Sequence, residues 1–92
     1  MQLIPSVESL DHEHQQTLIG SLQTELALCE TFVQSAALAH DSEHQKHFHE
    51  STRRAHRAAE AISRMLDKVS DHHVKAEMAT RLEELRQSIA TL

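Results

Sequence analysis

Apolar residues recur every three or four positions along most of the chain, which is the periodicity of an amphipathic helix. The first series starts after Pro5 and Ser6, where proline before a serine cap is typical of a helix start. We predict a first helix over residues 6–39. Its inner stripe comprises Val7, Leu10, His14, Leu18, Leu22, Leu26, Cys29, Val33 and Ala36.

Two further series predict helices over residues 42–69 and 71–91. Asp41 or Ser42 is the expected cap of the second helix, and Ser70–Asp71 of the third. The second stripe comprises His44, His47, Phe48, Ser51, Ala55, Ala58, Ala59, Ile62, Met65, Leu66 and Val69. The third comprises Val74, Met78, Leu82, Leu85, Ile89 and Leu92. One glycine and one proline leave little turn chemistry for strands.

These patterns predict one all-α domain over residues 1–92, a small up-down-up three-helix bundle with a long helical hairpin. The hairpin tip falls near residue 40, and Cys29 should lie opposite Ser51. The third helix is too short to cover the tip. We therefore expect a homodimer joined at the tips into a larger bundle. The expected interface comprises Phe32, Val33, Ala36 and Phe48.

Charge is divided unevenly along the chain. Residues 1–45 hold seven acidic and no basic side chains, whereas residues 46–92 hold nine basic and seven acidic ones. We expect the arginines of the second helix to pair with acids of the first, with Glu25 bound to Arg54 or Arg57. The alternatives for Glu25 are a wet interface or a metal site shared with a partner's histidine. The net charge of −5 and the lack of aromatic stacking platforms argue against nucleic-acid binding.

No apolar run approaches the ~20 residues of a membrane span. The N-terminus lacks the features of a signal peptide, and the chain has a single cysteine. We therefore expect a cytoplasmic protein without a membrane partner.

Histidines supply the candidate metal chemistry. His40, His44 and His47 lie at helical spacing beside the second apolar stripe, with Cys29 expected about one turn away. Imidazole with thiolate or carboxylate suits iron, zinc, nickel or copper. The alternative interpretation is a set of polar residues at a fraying hairpin tip. His14 lies on the first apolar stripe and is expected to be buried, either hydrogen-bonded or as a ligand.

The segment from Ser6 to Ile19, with Leu10-Asp11-x-x-His14, resembles the first helix of hemerythrin-like proteins. That resemblance implies a four-helix bundle with a non-haem di-iron centre and His14 as the first-helix ligand. His40-x-x-x-His44, followed by Phe48, resembles the family's H-x-x-x-H helix. The ligand set is incomplete, because residues 15–39 hold no histidine and the family's last ligand pattern is missing.

No nucleophile with a base, and no glycine-rich phosphate loop, is visible, so we do not expect an enzyme. The leading hypothesis is a non-catalytic homo-oligomer that acts through helix–helix association, with a metal or pH response through its histidines as an addition. One alternative is a dedicated transition-metal sensor or storage protein that binds hemerythrin-like iron, zinc, nickel or copper. Another is a regulatory adaptor that binds a protein partner through the hairpin tip.

Overall fold

The computed structural model describes residues 7–39 and 44–92, and the side chains of residues 12–39 and 44–92. It contains α1 (Val7–Leu38), α2 (Gln45–Leu66) and α3 (His72–Ala90). These residues form a three-helix bundle without strands, which confirms the all-α prediction. The predicted starts at Ser6, Asp41 and Ser42 lie outside the described residues, as does His40.

The core is a row of aliphatic side chains where the three helices meet. The predicted periodicity is confirmed on all three helices, because buried positions recur at three- and four-residue spacing. Alanines dominate on α2, and larger side chains from α1 and α3 fill the space above them. The buried residues are Leu22, Leu26, Cys29, Ala36, Ala39, Ser51, Ala55, Ala58, Ala59, Ile62, Leu66, Val69, Met78, Leu82, Leu85 and Ile89.

The register between α1 and α2 differs from the prediction by about one helical turn. The Cys29 thiol donates a hydrogen bond to the Ala55 carbonyl over 3.5 Å, so Cys29 lies level with Ala55 rather than with Ser51. The reason is the length of the connection. α1 ends at Leu38 and α2 begins only at Gln45, which moves the centre of the hairpin from residue 40 towards residue 42.

Polar contacts fix the turn between α2 and α3. Asp71 is the N-cap of α3, as predicted, and its carboxylate accepts from the backbone N–H groups of His73 and Val74 at 2.9 and 3.1 Å. The Gln15 amide of α1 donates to the Lys68 carbonyl at 3.0 Å and accepts from the Ser70 N–H at 3.0 Å. One side chain therefore joins α1 to the turn between α2 and α3.

α3 extends further along the hairpin than predicted. Arg81 of α3 pairs with Glu30 of α1 at 2.9 Å. Phe32 and Val33 are half-buried against the core, and Ala36 is 0% exposed. The expectation that Ala36 lies uncovered at the tip is therefore wrong, because α2 approaches closely enough to bury it.

The Gln15 contacts should contribute measurably to stability. We expect Gln15→Ala to lower the free energy of unfolding by about 1–2 kcal/mol, since two hydrogen bonds to the turn are lost. Urea unfolding followed by circular dichroism measures the change. Gln87→Ala is the matched control, because Gln87 is exposed on α3 and lies outside this turn. Equal stability of the two variants would contradict this role.

Candidate association surface on α1

The solvent-facing side of α1 carries no charge over five turns. Between residues 16 and 38, every exposed side chain is neutral, and the two acids of this stretch, Glu25 and Glu30, are half-buried on its flanks. The exposed residues are Gln16, Thr17, Gly20, Ser21, Gln23, Thr24, Ala27, Leu28, Thr31, Gln34, Ala37 and Leu38. We call this set the α1 outer face.

The other two helices show what an ordinary solvent face looks like in this protein. Six of the ten exposed residues of α2 are charged, and five of the thirteen exposed residues of α3 are charged. Soluble proteins normally intersperse charges over their surfaces. No helix within the described part of the chain meets the length and apolarity that crossing a membrane requires. The absence of exposed charge is therefore specific to the outer side of α1.

Its central residues follow a seven-residue repeat. Thr17, Thr24, Thr31 and Leu38 recur at heptad spacing, and Leu28 lies beside Thr24 and Thr31 on the same side. A heptad repeat keeps one seam of a helix in contact with a neighbouring helix over many turns. Leu38 is 86% exposed and Leu28 is 42% exposed, so this seam already presents large apolar side chains to solvent.

The hydroxyl groups of the seam threonines are already hydrogen-bonded within α1. Each hydroxyl donates to the carbonyl four residues earlier: Thr17 to Glu13 at 3.1 Å, Thr24 to Gly20 at 3.1 Å, and Thr31 to Ala27 at 3.0 Å. A buried hydroxyl without a partner would cost free energy. Because these donors already have acceptors, a neighbouring helix could cover the seam without leaving them unsatisfied.

Gly20 has no structural role within the single chain. It has a helical backbone with a negative φ, and a Cβ added there would meet nothing within 4 Å. Glycine in a helix interior costs about 1 kcal/mol relative to alanine. Gly20 also lies on the α1 outer face, in a shallow depression with Gln23, Thr24, Ala27, Leu28 and Thr31. A small residue here permits the backbone of another helix to approach closely.

Glu25 and Glu30 of α1 do not pair with the arginines of α2. Glu30 pairs with Arg81 of α3, and no ion pair within the described residues joins Glu25 to Arg54 or Arg57. The predicted pairing of Glu25 is therefore wrong. The register between the two helices places Cys29, and not Glu25, opposite Ala55.

The candidate histidine ligands among the described residues do not face the core. His14, His44 and His47 are all solvent-exposed, so their expected inward position is wrong. His47 Nε2 lies 2.9 Å from the Ser35 hydroxyl, and Cys29, level with Ala55, is two turns further along the hairpin. Within the described residues, no three His, Cys, Asp or Glu side chains lie close enough to share a metal ion. Metal binding that involves His40 stays a prediction.

Cys29, the single cysteine of the chain, is buried in the core. Its side chain is 0% exposed, and burial, with the nearby Glu25 carboxylate as a smaller cause, raises the pKa of the thiol above its ordinary value of 9.0. A protonated thiol is a poor nucleophile and a poor metal ligand. Its position fits a core residue.

Comparison with known protein families, with curated proteins and with solved structures found no match. The hemerythrin-like resemblance of the first helix therefore stays a prediction.

The α1 outer face was missed at the level of sequence, although a signal was present. The absence of Lys and Arg from residues 1–45 was interpreted as an acidic half. The more specific feature is that residues 14–24 and 31–40 contain no charge of either sign. Combined with helical phase, that pattern identifies a neutral outer stripe.

Gly20→Ala should stabilise the single chain. We expect the free energy of unfolding to rise by about 0.5–1 kcal/mol, since alanine fits the helical backbone and the space is open. Thermal unfolding at low protein concentration measures this. Ala27→Gly, on the same face, should lower stability by a similar amount. A destabilised Gly20→Ala chain at low concentration would contradict the assignment.

Burial of Cys29 predicts a slow reaction with alkylating reagents. We expect modification of the folded protein to be at least about tenfold slower than in urea, because the thiol must first be exposed.

Stability should also fall as pH rises above about 9.0. The unfolded thiol ionises first there, whereas the folded thiol keeps its proton. Equal alkylation rates in the two states would refute burial.

Proposed function

We propose that the protein is a non-catalytic helix–helix association module that forms homo-oligomers through the α1 outer face. The observation that carries this is the complete absence of charge from the exposed residues of α1 between residues 16 and 38. An uncharged helix side that exposes Leu28 and Leu38 can pack against another helix without burying a charge. A second helix laid along this side would turn the three-helix bundle into part of a larger one.

A second copy of the chain is the expected partner, because the α1 outer face can pack against its own copy without bringing like charges together. In a two-fold interface the same surface meets its own copy, so like charges on it would repel. The α1 outer face has none. Its seam from Thr17 to Leu38 extends over about 32 Å at 1.5 Å per residue, which is long enough for three heptads of contact.

This proposal moves the predicted interface along α1. Of the residues first expected at the tip, Ala36 is buried, and Phe32 and Val33 pack against the core. Leu38, on the same end of α1, is the most exposed large apolar residue described. The α1 outer face ends at Leu38, near the tip, but its centre lies between Thr24 and Thr31.

A charge placed at the centre of the seam tests the proposal. We expect wild-type chain to sediment as an oligomer and Thr24→Arg to weaken association by at least about 30-fold, or about 2 kcal/mol. Burying an unpaired guanidinium at the interface is the physical reason. Sedimentation velocity over a dilution series measures the dissociation constant.

Thr80→Arg is the matched control. Thr80 is exposed on α3, and its hydroxyl donates to the Ala76 carbonyl at 3.0 Å, the same local contact that Thr24 makes. This variant should sediment like wild type, and both variants should keep wild-type helicity. A monomeric wild-type chain, or equal weakening by both substitutions, would refute the proposal.

A further inference from the structure

α2 carries a basic ridge on the side opposite the core. Lys46, Arg53, Arg57 and Arg64 are separated by seven, four and seven residues, which places all four within about 20° of one line at 100° per residue. All four are exposed, whereas the buried residues of α2 face the other way. The line is about 27 Å long at 1.5 Å per residue. We call these four residues the α2 ridge.

The ridge cations make no salt bridge in the part of the chain that the structure describes. None of the four side chains, nor that of the neighbouring Arg54, has an ion pair or hydrogen bond there. Glu60 lies four residues before Arg64, a spacing that permits an ion pair, yet the two side chains are not joined. The ridge cations are therefore available to a partner.

Clustering these cations has a cost, which the nearby Glu50 and Glu60 reduce without forming ion pairs to the ridge. Arg53, Arg54 and Arg57 share about one turn, and like charges four residues apart destabilise a helix. Lys46 also lies in the first turn of α2, which contains no acid, at the end where the helix dipole favours negative charge. These local conflicts would be relieved by an anionic partner along the ridge.

We propose that the α2 ridge binds an acidic segment of a partner protein, in the form of a helix whose carboxylates are spaced seven, four and seven residues apart. Arginine pairs with carboxylates through two parallel hydrogen bonds, and on a partner helix this spacing places four acids along one line, as it does the four cations on α2. The surface lies opposite the core stripe of α2 and does not depend on the α1 outer face.

Charge and shape favour an acidic protein over a nucleic acid. Glu50 and Glu60 interrupt the ridge, so a continuous phosphate backbone would meet two carboxylates along it. The ridge residues include no aromatic side chain on which bases could stack. A partner helix can instead place its acids only where the ridge is basic.

Binding of a designed peptide to the full chain tests this inference. The probe is a fluorescent helical peptide with four glutamates spaced seven, four and seven residues apart, and its matched control has glutamine at those positions. We expect saturable binding of the glutamate peptide that weakens with added salt, and at least about tenfold weaker binding of the glutamine peptide.

Two double variants locate the site. Arg53→Gln with Arg57→Gln should weaken peptide binding by about tenfold or more. Lys75→Gln with Arg86→Gln removes the same charge from α3 and should change it less than about twofold. Equal loss in both variants, or no binding of the glutamate peptide, would overturn the proposal.

Other occupants give distinct results. Tighter binding of single-stranded DNA or of phosphatidylserine vesicles than of the glutamate peptide would assign the ridge to phosphates and overturn the proposal. A changed sedimentation coefficient of the Arg53→Gln, Arg57→Gln chain would assign it to self-association and would equally overturn it. A wild-type chain that sediments as a monomer but still binds the peptide would refute association through the α1 outer face and leave the ridge proposal standing.

Discussion

The close approach of α1 and α2 is the interaction on which the rest of the structure depends. Small residues on α2, including Ala55 and Ala59, let the larger Leu22 and Leu26 of α1 pack against its backbone, and all four are buried. The contact is near enough for the Cys29 thiol to reach a carbonyl of α2. Interiors are stable only when they are filled in this way. α3 then covers one side of the hairpin, and the outer sides of both hairpin helices remain open.

Those two outer sides have opposite chemistry. The α1 outer face is neutral and heptad-spaced, and the α2 ridge is basic, although the two helices form one hairpin. A neutral surface associates through packing and is little affected by salt, whereas a charged ridge acts mainly through electrostatic steering and partner choice. One small bundle can thus separate self-association from recognition of an acidic partner, because each uses a different helix side.

Periodicity predicted most of the fold because each helix repeats its own pattern. Met78, Leu82, Leu85 and Ile89 are buried as their spacing requires. Periodicity could not predict which residues of an apolar stripe are covered by another helix. His14 lies on the α1 stripe, but Gln15 already contacts the turn after α2, so His14 lies at the end of the bundle and is exposed. The predicted positions of the candidate metal ligands and of the ion pairs depended on the register between α1 and α2. The length of the connection between these helices determines that register.

The features that local rules do not explain are the ones that point beyond the single chain. Gly20 weakens a helix that has room for alanine, and the arginine cluster on α2 places like charges together. Together these choices cost about 1–2 kcal/mol, a considerable part of the stability of so small a domain. Natural sequences depart from local consistency mainly where function requires it. Both departures lie on surfaces that α3 leaves open, one on each hairpin helix, and a partner on each surface would account for them.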